Sequence, residues 1–450
     1  MDNIEKIRQV ANFFENKIID NDIHCEFCDT KHTGRNAYSI GIFLCQFEQT
    51  KEDKYFQLAY SMAKTTMSKL QPDPIHGGLI FLPGNHEGAN QSNSVMDAGM
   101  CTDMISSFLI YCDKNNILIE EKDIWIDKLA LHIDGYLADT SLNKTVLNQR
   151  LWGLTGIVSF FKLQNREKDK LHIETVLEKT FSEQNDDFSF GYVATKDDKD
   201  PSTYFSVYYY SRLIAYLCFA VQSVNLQDKY QQNIKNSLTL MYDCIDNQGK
   251  KILDLETKKL FFQASYEVES LSHDIFVSRF VNQYYKYGSN DILDKIQEIY
   301  LKHIDKNGMN SNYENKPNLL CSFIDNSDFI WYVRSLDFEG KQELSHYNAQ
   351  NRVYLDAGFI VEYKDNNKKI TLINKYYSSI GWGDKNDTKI VLLGTNKKVI
   401  KGHNNFYSLK YMIKRNYGDI KNMIYTSQYN LKFKGSRMKY FYRKAKQWLI

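Results

Sequence analysis

Apolar residues recur at helical spacing in paired segments along the first three quarters of the chain, and this periodicity constrains the fold most. The pairs fall at about 36–48 with 52–70, 93–114 with 121–138, 148–164 with 167–183, 203–223 with 226–244, and 265–287 with 290–304. A sixth apolar helix is predicted near 323–338, and one at 3–19 has no partner of its own, so it is placed to close a circle. Gly78, Gly135, Gly191, Gly249 and Gly308 punctuate the pattern at about 57-residue intervals, which marks a repeat architecture. Asp246 to Gly249 and Asp305 to Gly308 have the chemistry of helix stops with a left-handed residue. All five prolines lie in predicted connections, where no helical hydrogen bond is lost.

Helix pairs stack either as an open solenoid or as a closed toroid, and six first helices plus an unpaired terminal one favour the ring. First helices such as IGIFLCQF, MISSFLIYC and LIAYLCFAV are apolar all round, whereas second helices such as EKDIWIDKLALHIDGYL are striped. The first set is therefore predicted to form an inner ring and the second an outer one. The N-terminal ends of the inner helices would rim one mouth, where a ligand meets side chains and helix dipoles.

After about residue 345, segments such as RVYLDAGFIVEY, KKITLINKYY and KIVLLG carry β-branched and aromatic residues between Asp, Asn and Gly clusters. The fold class read from this is multidomain α+β: an (α/α) toroid of about six helical hairpins over 1–340, then a small antiparallel β domain over 345–450. The segment after Asp419 holds eight Lys or Arg and no acid. Phe433, Tyr440, Phe441, Tyr442, Trp448 and Leu449 interleave with them, which suits either an anionic bilayer surface or a solvated terminal element. A formal charge of +2 over 450 residues excludes a general polyanion or nucleic-acid binder. With no secretory pattern at the start and cysteines inside apolar helical stretches (Cys45, Cys101, Cys112, Cys218), a reducing cytoplasmic setting is expected, peripheral to a membrane if the tail binds one.

Residues 84–103 form the most polar stretch feeding an inner helix, with Asn85, His86, Glu87, Asn90, Asn93, Asp97 and Asp103. Asn and Asp bind sugar hydroxyls, His accepts a proton near neutral pH, and a carboxylate serves as acid or base. The competing reading is a capped helix behind a solvated loop. Other inner helices open with Asn148, Arg150 and Trp152; with Tyr204, Tyr208, Tyr209 and Arg212; with Glu267, Glu269, His273 and Asp274; and with Asp328, Trp331 and Arg334. Aromatic rings for the apolar faces of a sugar and polar groups for its hydroxyls make an oligo- or polysaccharide the expected partner. His86, Tyr208, Tyr209, His273 and Asp97 are the catalytic candidates. Asn85, Glu87, Asn93, Asp103, Asn148, Arg150, Trp152, Tyr204, Arg212, Glu269, Trp331 and Arg334 are candidates for binding. His24, Cys25, Cys28 and His32 have metal-binding residue types, but ligands this close together seldom share one ion, so no metal is expected and no cofactor either.

The layout, with Asn85 and His86 at the start of the helical region, Tyr208 or Tyr209 on an inner helix, and His346 or His403 near the β domain, resembles the heparinase-like polysaccharide lyases and other toroidal glycan enzymes. That resemblance implies neutralisation of a uronic acid carboxylate by Asn, His or Arg, and removal of the C5 proton by Tyr or His. The expected function is thus a lyase-like carbohydrate-active enzyme of surface or capsular polysaccharide metabolism. A toroidal hydrolase or epimerase remains open. So does a non-catalytic scaffold, whose barrel would be filled by aromatic packing.

Overall fold

The computed structural model describes residues 3–24, 33–72, 78–81, 91–191, 194, 205–252, 255, 270–309, 326–338, 343–364, 367–373, 390–393 and 399–401. The first helix, α1 (Asn3–Glu15), is followed by α2 (Thr33–Thr50) with α3 (Asp53–Ser68). Next comes α4 (Gln91–Lys114) with α5 (Lys122–His132), which runs through a π turn at Ile133–Leu137 into α6 (Ala138–Asn143). Then follow α7 (Leu147–Gln164) with α8 (Glu167–Ser182), α9 (Val207–Ser223) with α10 (Gln231–Asp243), and α11 (Leu271–Tyr285) with α12 (Asn290–Lys302). The last helix is α13 (Phe329–Ser335).

Burial separates the two sets of helices for the reason the patterning gives. α7 buries nearly every residue from Leu147 to Phe161, whereas α12 buries only the stripe Leu293, Ile296, Tyr300 and Leu301. The apolar helices pack in chain order, α2 on α4, α4 on α7, α7 on α9, α9 on α11 and α11 on α13, and α13 returns to α2. The ring is closed. α1 lies against α2, and Gln9 backs so closely on Gly308 that a Cβ there would sit 1.9 Å from the Gln9 carbonyl oxygen.

The tightest joint is α4 against α7. A Cβ on Gly99 would fall 2.1 Å from the Trp152 carbonyl oxygen, and one on Gly156 would fall 2.7 Å from that of Gly99. Glycine at both positions lets the two backbones touch. The stops after α10 and α12 share one geometry: Asp246 accepts from the amides of Gln248 and Lys250, and Asp305 from those of Asn307 and Met309, with Gly249 and Gly308 at positive φ.

Short hairpins occupy two connections, β1 (Ile18–Ile19) with β2 (Asp22–Ile23) and β3 (Leu70–Pro72) with β4 (Leu79–Phe81). Strand β5 (Tyr287–Gly288) pairs in parallel with β6 (Ser345–His346). An antiparallel sheet follows, in which β7 (Arg352–Tyr354), β8 (Phe359–Lys364), β9 (Asn367–Ile373), β10 (Ile390–Leu393) and β11 (Val399–Lys401) neighbour one another in sequence order. The sheet is fastened to the end of α10. Buried Asp243 accepts from Tyr354 and Tyr363 at 2.7 Å, from Tyr347, and from Arg352 at 3.1 Å. Lys368 Nζ donates to the carbonyls of Tyr242 (2.8 Å) and Ile245 (2.6 Å), capping the helix C-terminus. Among the described residues no helix is long and apolar enough to cross a membrane. The basic segment after Asp419 lies outside the described residues.

Candidate functional site

All inner helices run the same way, so their first turns meet at one end of the ring. Asp328, the N-cap of α13, is fully buried there and forms ion pairs with Arg35 of α2 and Arg212 of α9. Both guanidiniums also lie over the Trp152 indole, their Cζ atoms 4.8 and 5.1 Å from its centroid. Trp152 Nε1 donates to the Tyr38 hydroxyl at 2.9 Å. One carboxylate and one indole thus hold two arginines from different helices on the axis.

Beside this group, His273 stacks on Trp331 with centroids 5.3 Å apart, and Tyr216 meets both rings, at 5.7 Å from His273 and 4.9 Å from Trp331. All three are buried, yet His273 Nε2, Tyr216 Oη and Trp331 Nε1 have no hydrogen-bond partner. Buried polar atoms are nearly always paired, so three orphans around one aromatic cluster call for an explanation. Burial pushes the His273 imidazole well below its ordinary pKa. Asp328 opposes that shift, and Arg212, Arg35 and Lys251 add to it. The ring is neutral at physiological pH, with Nδ1 lying 3.3 Å from the Ser272 hydroxyl. Next in sequence, Asp274 is held by Lys251 (2.8 Å) and Ser211 (2.6 Å), a fully buried pair that fixes this turn of α11.

Of the sequence-derived candidates, the structure brings Trp152, Arg212, His273 and Trp331 together. Asp97 instead accepts from the Gly34 amide at 2.8 Å, so it anchors the start of α2. Asp103 lies deeper, accepting from Ser159 (2.5 Å) and Arg334 (2.6 Å). Arg150, expected at the mouth, is taken up by Glu183 and Thr180 at the end of α8 and by the Lys144 carbonyl. Its charge is spent on the outer ring. Asn148 and Tyr209 line a separate shallow cleft with Gly191, Ser206 and Tyr210, where Asn148 Oδ1 has no partner. Asn85, His86, Glu87, Tyr204, Glu267, Glu269, Cys25, Cys28, His32 and His403 lie outside the described residues, as do the side chains of Asn93, Tyr208 and His346. No group of His, Cys, Asp or Glu among the described residues is arranged to hold a metal ion.

Sequence reasoning passed over Arg35, Tyr38, Tyr216 and Lys251. Arg35 had a signal: a cation in the first turn of an apolar helix, where the dipole disfavours it, needs a buried anion to hold it. Tyr216 and Lys251 had none, being apolar-stripe and turn residues until the ring closes around them.

No protein-family model matches the chain, and no curated protein does. Solved structures do. A cellobiose 2-epimerase from Bacillus thermoamylovorans B4167 is similar with a TM-score of 0.54 at 11% identity, over 74% of this chain and 98% of that one. A family 76 glycoside hydrolase from a bovine Bacteroides thetaiotaomicron strain gives 0.51 at 10% identity, over 74% and 77%. A family 88 glycosyl hydrolase from Bacteroides vulgatus gives 0.51 at 11%, over 75% and 100%. The likeness is one of fold. These are glycan-acting enzymes, and the chain shares their (α/α) toroid.

Proposed function

We propose that the chain is a glycan-active enzyme that moves a proton at a sugar carbon, with His273 as the base. The observation that carries this reading is the trio of orphaned polar atoms, His273 Nε2, Tyr216 Oη and Trp331 Nε1, set on stacked rings beside two arginines. Rings take the apolar face of a pyranose, and the orphaned atoms take its hydroxyls. A neutral imidazole removes the proton from the carbon next to an open-chain aldehyde. The electron pair moves to the carbonyl oxygen as an enediolate, next to the Arg35 and Arg212 charges. His273 keeps the abstracted proton until it is lost to solvent, and a solvent proton delivered to the opposite face of the enediolate gives the epimer. The cellobiose 2-epimerase has this fold, which supports the reading by analogy.

A second reading shares the first step. With a uronic acid, the arginine pair would neutralise the carboxylate, and the enolate would collapse by expelling the glycosidic oxygen at the β position, giving an unsaturated product. Hydrolysis is a third reading and needs two available carboxyl groups. Among the described residues Asp328, Asp103 and Asp274 are each bound by a cation and Asp97 by an amide, while Glu87, Glu267 and Glu269 lie outside the described residues.

Product analysis separates the three. Wild-type protein and His273→Gln are incubated with cellobiose and with uronic-acid oligosaccharides, and the mixtures are assayed for epimers, unsaturated products and new reducing ends. Epimers or unsaturated products that vanish in His273→Gln support the proposal. New reducing ends without either, unchanged in the variant, overturn it.

A further inference from the structure

Next to Trp331, toward the C-terminal ends of the inner helices, lies a cluster of cations that the proposed chemistry does not use. Arg334 rests 4.9 Å from the Trp331 centroid, and Phe219 packs on the same ring. Lys162 lies in the last turn of α7, about 15 Å along the helix from Trp152. Its Nζ sits over the Phe219 ring, 4.0 Å from the centroid, and the Arg334 guanidinium lies 4.6 Å from the same centroid. Arg334 Nη2 donates to Asp103 at 2.6 Å, while Nη1 is buried without an acceptor. Much of the Lys162 side chain is exposed, but its amine end is packed against Phe219, and it has no ion-pair partner among the described residues. The other charges that face it are Lys114, at the end of α4, and the acids Asp103 and Asp337.

A helix dipole accounts for one cation in a last turn. It does not account for a second cation on the same ring, because like charges at this range raise each other's cost in a partly desolvated setting. That cost is visible in the amine, which burial first and Arg334 second pull down to about 8. Lys162 Nζ and Arg334 Nη1, both beside the Phe219 ring and neither with an acceptor among the described residues, have the chemistry of an oxyanion site.

We propose that this cluster binds a small phosphate-class oxyanion between Lys162 Nζ and Arg334 Nη1, with Phe219 as the floor. The anion would be free phosphate or the phosphoryl group of a sugar phosphate. Binding stabilises the charged amine, so the Lys162 pKa must rise on binding.

The test is trace acylation of the folded full-length chain near neutral pH, with lysine labelling read by mass spectrometry, in chloride or in inorganic phosphate at matched ionic strength. Phosphate should slow Lys162 labelling about tenfold, the drop given by one unit of rise in its pKa, and leave Lys128 on the outer face of α5 unchanged. Calorimetric heat with inorganic phosphate should be lost in Lys162→Gln, a change at an exposed position that leaves the core untouched. A hexose phosphate protecting better than inorganic phosphate identifies a sugar-borne group, and equal protection identifies the free anion. Labelling of Lys162 that is the same in phosphate and chloride, or heat that persists in Lys162→Gln, overturns the proposal.

Discussion

Asp328 shows how much can rest on one carboxylate. It is fully buried and balances two guanidiniums from helices more than a hundred residues away in sequence. A buried ion pair adds little net stability, but removing one partner leaves the other charges stranded. Asp328→Ala should therefore cost about 3–5 kcal/mol in urea unfolding, whereas Arg150→Met, which removes a single pair with half-exposed Glu183, should cost less. In the proposed function His273 is the base. His273→Gln should lower turnover by about 10²–10⁴-fold, as for loss of a general base, with the unfolding midpoint nearly unchanged. Buried His132 gives the protein its pH response. Its Nδ1 bonds the Leu79 carbonyl and burial lowers its pKa to about 4. Because the folded pKa lies below the unfolded one, the stabilisation is complete above the ordinary histidine range and is lost as pH falls toward 4. From pH 7 to pH 5 the loss from His132 alone should be about 2 kcal/mol. His273 acts in the same direction. Replacing His132 with Phe should flatten that part of the profile.

At the scale of elements, periodicity carried most of the information. The segments read at 148–164 and 167–183 are α7 and α8, and those at 36–48 and 52–70 are α2 and α3, because a helix buried all round and one buried on a stripe leave different patterns. The outer helix read at 121–138 runs on to Asn143 through a π turn, an irregularity that spacing does not encode. The candidate site was legible only in part. Trp152, Arg212, His273 and Trp331 stand out as polar or aromatic residues at the starts of apolar helices. Arg150 has the same signature two residues from Trp152, yet faces α8, since the rotation of a helix about its axis is set by its neighbours. Gly99 sets that rotation here. Gly99→Ala would force α4 away from the Trp152 carbonyl, and the overpacking should cost about 1–3 kcal/mol, with a lowered urea midpoint and reduced turnover together.

The described residues form a closed ring of helices with a sheet fastened to one outer helix. Because Asp243 gathers Tyr347, Tyr354, Tyr363 and Arg352 from the sheet side, Asp243→Ala should loosen the sheet before the ring. Hydrogen exchange should then quicken over 352–373 while α7 and α11 stay protected. The filled axis bears on function as well. Trp152, Tyr216 and Trp331 occupy the space that a scaffold protein would also fill, and in the proposed function the orphaned atoms of Tyr216 and Trp331 take a sugar's hydroxyls. The most direct measurement is proton exchange at the sugar carbon. Cellobiose incubated with the protein in deuterium oxide should acquire a non-exchangeable deuterium at the carbon adjacent to the reducing carbon, visible by NMR, and His273→Gln should abolish it. Equal incorporation with the variant, or none with the wild type while new reducing ends appear, would contradict the account.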